Sequence, residues 1–250
     1  EVRETQKKNR AKGKGNRNAL LLTPWTEIGP NPIPNGQVGV GPQLSVSGRT
    51  TAIAVHPTNP DIVYVGTAQG GLYRTLNGGT TWTPVMDNAL SLAIGAVTFA
   101  PSSPDIVYVG TGEPNFSGDS FFGVGVYRIN SAASANPVLT GPLNQSSGNT
   151  DVFTGRGISE IQVHPTNADI IFVGTTSGIG GIGGNPNSVL PSRGIYRSTN
   201  ATTINPIFDK LTGLEGNGNF SVRDLVLDPL NPNLLVCNLV TNGGGIYVSN

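Results

Sequence analysis

Four sixteen-residue segments of this chain align with one another without a gap: AIAVHPTNPDIVYVGT (52–67), AVTFAPSSPDIVYVGT (96–111), EIQVHPTNADIIFVGT (160–175) and DLVLDPLNPNLLVCNL (224–239). Their turn prolines, Pro57, Pro101, Pro165 and Pro229, lie 44, 64 and 64 residues apart. Each segment reads as an apolar strand, a Pro/Asn/Asp turn and a second apolar strand. A third strand follows, marked by a shared aromatic: Tyr73 in GGLYRT, Tyr127 in GVGVYRI, Tyr196 in RGIYRS and Tyr247 in GGGIYVS. Copy one adds a fourth, TTWTPVM (80–86). Antiparallel strands a to d recurring every ~40–70 residues predict an all-β chain, a β-propeller of four-stranded antiparallel blades with about four blades present.

Turn chemistry agrees. Proline presets φ at the a–b turn, and Asn59, Asp61, Asp105, Asn167 and Asp169 can close turns through side-chain hydrogen bonds. Strand b (DIVYVGT) is apolar at nearly every position, as a strand buried between neighbouring blades requires. Composition removes the competing folds. Gly (35) and Pro (19) are far above their usual combined share of about 12%, which excludes coiled coils and long helices. The 36% of hydrophobic residues fall in short β-rich runs, which argues against disorder. No apolar run is long enough to span a bilayer as a helix. A single cysteine, Cys237, excludes an internal disulfide and a Cys-based zinc site.

Charge is balanced overall but unevenly placed. Residues 1–18 hold seven basic and two acidic side chains, net +5, so the remainder carries −5. Residues 1–18 have no apolar face, and residues 1–23 are expected to form a disordered basic tail: a solvated linker or processed leader, or an arm docking on an acidic neighbour. A nucleic-acid arm is the third reading, but the acidic body offers no second basic patch, so no nucleic acid is expected as partner. A start at Glu1 rather than Met is compatible with removal of a secretory leader.

The link between strands c and d of copy one, Thr75-Leu76-Asn77-Gly78-Gly79-Thr80-Thr81-Trp82, resembles the Asp-box (BNR repeat) of sialidase-like and sortilin-like propellers, S/T-x-D-x-G-x-T-W, with Asn77 at the Asp position. That superfamily includes sialidases, sortilin-type receptors, xyloglucan-cleaving tandem propellers and a photosystem II assembly factor. The resemblance covers roughly residues 45–250. It implies a structural role for Thr75, Asn77, Gly79, Thr81 and Trp82, because the family's box folds a hairpin away from any active site. Copies two (129–138) and three (198–207) carry eroded boxes. PWTEIG (24–29) resembles the Trp-led strand d of copy one, with Trp25 matching Trp82. The expected organisation is therefore a lone strand d at 24–29, blade one at 46–87, blade two at 94–140, blade three at 155–209 and an incomplete blade four at 221–250. Such a set either closes a four-bladed ring or forms the N-terminal part of a larger propeller. The larger propeller is expected, since sialidase-like rings usually hold six or more blades.

In a propeller the a–b and c–d turns share one face, and the b–c and d–a connections share the other. The long insertions GEPNFSGDSFFG (112–123) and TSGIGGIGGNPNSVLPSR (176–193) both link b to c, and long d–a connections (131–155 and 208–222) open on the same side. Elaborated loops on one rim of a rigid scaffold mark the expected binding face. Arg49 and Arg156, each following a glycine just before strand a, and Arg223 in copy four could grip an anionic ligand, or tie the rim to neighbouring blades as part of the repeat. Catalysis of the sialidase type is not expected, because no Arg-Ile-Pro signature occurs. Glu113, Asp119, Phe121 and Phe122 share one loop. They read as a solvated loop, a ligand contact with the aromatics stacking on sugar, or weak Ca²⁺ ligands, Glu113 and Asp119. Asp151 and Glu215 are the other rim carboxylates. No other cofactor is expected. His56 and His164 occupy equivalent repeat positions and read as turn-packing residues. Gly178-x-Gly180-x-x-Gly183 lacks the helix of a dinucleotide motif.

These readings converge on a non-catalytic bacterial protein, extracellular or at the cell surface, that acts as a scaffold or binding module through its loop-rich face. Its expected partner is protein or carbohydrate, with self-assembly through exposed blade edges or the basic tail. The rival is a polysaccharide-cleaving glycoside hydrolase or sialidase-like enzyme whose catalytic carboxylates lie partly outside this segment.

Overall fold

The computed structural model describes residues 48–115, 120–177, 189–214, 219–240 and 244–249. Residues 1–47, including the tail and the Trp25 strand, lie outside the described residues, as do Asp119, Glu215 and positions 178–188.

All regular structure among the described residues is β, arranged as three four-stranded sheets and one three-stranded sheet. Blade one comprises β1 (Thr50–Val55), β2 (Val63–Thr67), β3 (Leu72–Thr75) and β4 (Thr83–Pro84); blade two β5 (Ile94–Phe99), β6 (Val107–Thr111), β7 (Val126–Asn130) and β8 (Val138–Leu143). Blade three comprises β9 (Gly157–Val163), β10 (Ile171–Thr176), β11 (Ile195–Ser198) and β12 (Asp209–Lys210); blade four β13 (Ser221–Leu227), β14 (Leu235–Val240) and β15 (Gly245–Val248). Within each sheet, strands consecutive in the chain pair antiparallel. The inner strands pack in series, β1 on β5, β5 on β9 and β9 on β13. The molecule is a partial β-propeller.

The sequence repeat is a repeat of register. Ala52, Ala96, Glu160 and Asp224 face Gly66, Gly110, Gly174 and Asn238 across the a–b pair of their own blades. In every copy the ladder shifts at the preceding residues, leaving a bulge at Thr51, Gly95, Ser159 and Arg223. The bulge residue meets the next blade: Thr51 Oγ1 donates to Ile94 O (2.6 Å) and Ser159 Oγ to Val222 O (2.6 Å). At Gly95 a Cβ would lie 2.0 Å from Ile158 O, so that copy must be glycine. The a–b turn repeats as well. The N–H of His56, Ala100, His164 and Asp228 donates to the carbonyl of Ile62, Ile106, Ile170 and Leu234 respectively, at 2.9–3.0 Å.

Three apolar clusters follow, each shared by two successive blades. The strand-b glycines set the spacing: a Cβ on Gly66 or Gly110 would stand 2.4 Å from Cγ2 of Ile94 or Ile158, and one on Gly174 would stand 2.8 Å from Cγ1 of Val222. Burying such an aliphatic side chain is worth about 1.5–3 kcal/mol. Polar latches reinforce the first two interfaces. Tyr64 Oη donates to Ala132 O (2.7 Å) and Tyr108 Oη to Ala168 O (2.8 Å). Arg74 Nη1 donates to Ala132 O and Ser134 O, and Arg128 Nη1 to Ala201 O and Thr203 O, so each buried guanidinium holds the c–d turn of the next blade.

Two expectations need correction. Strand d of blade two continues to Leu143, so 131–137 is a c–d turn on the opposite face, and only the chain from 144 links d to a. The c–d turn of copy three is not eroded in geometry. In copy one Asn77 Oδ1 accepts the Thr81 N–H (2.9 Å), while Thr75 Oγ1 accepts the Gly79 N–H (2.9 Å). In copy three Asn200 Oδ1 accepts the Ile207 N–H (2.9 Å), and Ser198 Oγ accepts the Asn200 N–H. Both turns are pinned to the a–b turn, through Gly78 N–H to Asp61 O and Ala201 N–H to Asp169 O. The amide side chain spans a longer loop in copy three, which a fixed-spacing motif does not detect.

Candidate functional site

Antiparallel pairing puts the Pro57, Pro101, Pro165 and Pro229 turns at one end of the sheets and the b–c loops at the other. On the loop-rich end the b–c connection of blade two lies against three other blades. Its Gly112 N–H donates to Ala93 O (2.7 Å), its Gly123 N–H to Arg156 O (2.8 Å), and Gly155 N–H returns a bond to Gly123 O (2.9 Å). Gly112 sits at φ +89°, and a Cβ there would be 2.5 Å from Gly123 N, which only glycine tolerates.

Glu113 is buried beneath this loop, and its carboxylate pairs with the half-exposed Arg49 of blade one. Gln69 Nε2 adds a long bond of 3.4 Å. Arg223 of blade four donates to Pro114 O (3.3 Å). Phe121 and Phe122 are half-buried on the same loop, and Phe121 O accepts the Glu113 N–H. The loop therefore brings together Arg49, Glu113 and Arg223. Arg156 goes elsewhere: its Nε and Nη2 donate to Pro191 O (2.7 and 2.5 Å) and its Nη1 to Ser177 O (3.3 Å), within blade three.

Two cations near Arg156 have no motif in the sequence. Arg193 donates from Nε to Asn219 Oδ1 (3.0 Å) and from Nη1 to Ser221 Oγ (3.0 Å). Lys210 extends over the Phe220 ring, with Nζ 5.6 Å from its centroid. Burial, followed by repulsion from Arg193, holds Arg156 below its ordinary pKa; burial, Arg156 and Arg193 hold Lys210 below its own. Only the placing of Arg193 just before strand c and of Lys210 on strand d of one blade could have suggested them.

The remaining candidates are tied into turns. Asp151 accepts the N–H groups of Phe153 and Thr154 (both 2.9 Å), Thr154 Oγ1 (2.6 Å) and Asn144 Nδ2 (2.8 Å). His56 Nδ1 accepts the Asn59 N–H (3.1 Å), and His164 Nδ1 accepts the Thr166 N–H (3.2 Å). Cys237 is buried, which pushes its thiol pKa up. Among the described residues no three His, Cys, Asp or Glu side chains are grouped to hold a metal ion.

On the inner side, a depression of about 410 Å³ is lined by Ile53, Val55, Pro57, Val97, Phe99 and Pro101, with Glu160 as its charged group. Burial pushes Glu160 up to about 7, against a hydrogen bond from Gln162 Nε2 (3.0 Å) and with repulsion from Asp224.

The architecture defines the class, a β-propeller fold. Among solved structures the chain is similar to the GH74 xyloglucanase from Xanthomonas campestris, at 16% identity and a TM-score of 0.54 over 80% of this chain and 28% of that one. It is similar also to an ancestral GH74 enzyme, at 18% identity and a TM-score of 0.53 over 76% of this chain and 22% of that one. The chain thus spans roughly a quarter of the length of these structures. At such identities the likeness is one of fold. No family model matches the chain, and no curated protein matches it.

Proposed function

We propose that this chain is a non-catalytic, carbohydrate-binding scaffold segment of an extracellular or cell-surface bacterial β-propeller of the sialidase-like kind, with the Thr75–Trp82 turn as an Asp-box whose Asp role Asn77 fills. The observation that carries the non-catalytic reading is the engagement of both rim carboxylates among the described residues. Glu113 is buried against Arg49, and Asp151 accepts four hydrogen bonds from its own turn. Glycoside hydrolysis needs two carboxyl groups facing a scissile bond, one free to give a proton. A carboxylate held ionised by an arginine, or saturated by the hydrogen bonds of its own turn, has no proton to give. The carbohydrate side of the reading draws on the fold shared with the GH74 enzymes and on Phe121 and Phe122 beside a braced rim.

The same neighbours favour a second reading, a polysaccharide-cleaving hydrolase with its carboxylates elsewhere. Affinity electrophoresis in gels containing xyloglucan, run beside a reducing-end assay, separates the two. The proposal expects retardation without release of reducing ends. Release of reducing ends that persists in Glu113→Gln, with the fold intact by circular dichroism, would transfer the chain to the hydrolases.

A further inference from the structure

Among the described residues, three cations at the loop-rich end of blade three have no carboxylate partner. Arg156 is buried just before β9, with its guanidinium held by the Pro191 and Ser177 carbonyls. Arg193 precedes β11 and is fixed at four points, by the Asn219 side chain from its backbone N–H and Nε, by Ser221 Oγ and by Asn219 O. Lys210 lies on β12, with its stem beside Gly194, where a Cβ would come within 2.6 Å of Lys210 Cε. All the partners of these three cations among the described residues are neutral: carbonyls, an amide, a hydroxyl and the Phe220 ring. Asp209, the chain neighbour of Lys210, points to the other side of the strand and accepts Ser147 N–H (3.0 Å) and Oγ (2.8 Å).

We infer that Arg156, Arg193 and Lys210 form a binding site for one oxyanion, the carboxylate or sulfate substituent of an acidic polysaccharide. Three features support this. The two guanidinium groups are preorganised by bonds to neutral acceptors, so an incoming anion need not displace a carboxylate. The Lys210 ammonium offers three N–H donors to which no described residue supplies an acceptor. The positive charges raise one another's energy, and an anion relieves that repulsion. The site deepens the carbohydrate-binding reading by naming the substituent recognised, and it rests on that reading for the polymer but not for the anion.

The test uses the full chain at 150 mM salt, where weak non-specific attraction is screened. Its probes are polygalacturonate for the carboxylate, dextran sulfate for the sulfate ester, neutral xyloglucan, and inorganic sulfate alone. Lys210→Met keeps the apolar stem, Arg193→Gln keeps a planar amide, and Lys210→Arg keeps the charge. The expected result is tight binding of at least one acidic polymer, a loss of about tenfold in each of Lys210→Met and Arg193→Gln, and recovery in Lys210→Arg. The more strongly affected polymer identifies the anion. Acidic polymers bound equally by the wild type and Lys210→Met overturn the site. So does xyloglucan binding without any acidic-polymer binding, although carbohydrate binding then stands. Thermal stabilisation by inorganic sulfate that needs Lys210, with no polysaccharide bound, keeps the anion site and removes the carbohydrate reading.

Discussion

The interface between blades two and three and that between blades three and four use the same repeat positions with different chemistry. In the first, Ile158 packs over Gly110, Tyr108 Oη reaches Ala168 O, and Arg128 is buried on the carbonyls of Ala201 and Thr203. In the second, Val222 packs over Gly174, but Phe172 stands where Tyr108 stood and has no hydroxyl. Arg197 is exposed there, 5.8 Å from the Phe172 ring centroid. The aliphatic-on-glycine contact is common to both and sets the blade spacing. The arginine latch of the first interface uses the carbonyls of a c–d turn in the next blade. Packing positions a blade; the latches add to the stability of an interface already formed.

The largest contrast is expected between Arg128→Ala and Arg197→Ala. Removing Arg128 strips the buried Ala201 carbonyl and the partly buried Thr203 carbonyl of their donor and should cost about 3 kcal/mol in urea unfolding. Arg197→Ala should stay within about 0.5 kcal/mol. Equal losses would dissolve the distinction between latched and unlatched interfaces. Gly110→Ala and Gly174→Ala should each cost about 1–3 kcal/mol through overpacking, and by similar amounts, because this contact is shared. A neutral Gly110→Ala would mean that the blades slide past one another freely.

Glu160, on the inner strand of blade three, gives the fold a pH dependence of its own. Its folded pKa of about 7 lies above the ordinary 4.5, so the folded state keeps a proton that the unfolded chain releases. Stability from this group is full below about pH 4.5 and falls as pH rises to about 7. Above that it stays lower, by on the order of 1–2 kcal/mol after allowance for solvent screening. The melting temperature should therefore be higher at pH 5 than at pH 8, and Glu160→Gln should flatten the difference. A profile unchanged in Glu160→Gln would assign the effect to another group. Smallest of all, Tyr108→Phe should cost about 1 kcal/mol, while Phe172→Tyr should gain nothing measurable by thermal melting.

Much of this interface pattern is visible in the chain once the copies are aligned. The VGT glycines and the Ile94, Ile158, Val222 series fall in register, and strand b reads as buried because it has an aliphatic neighbour on each side. The latching arginines sit in plain view in LYRT, VYRI and IYRS, yet one dipeptide yields two buried latches and one exposed side chain. Rim chemistry was less legible still. Glu113 and Arg49 are 64 residues apart and meet only because two blades stand side by side. Arg193 and Lys210 carry no motif, and their environment comes from Asn219, Ser221 and Phe220 on a separate connection.

The amino-acid sequence on its own determined the strand repeat, the turns and the all-β class, because alternation, proline placement and turn-closing amides act within a few residues of one another. Which charges are braced and which stand open was decided only by tertiary structure. A side chain's electrostatic surroundings are set by groups from other blades, and nothing local to Arg156 or Arg197 records what those groups are.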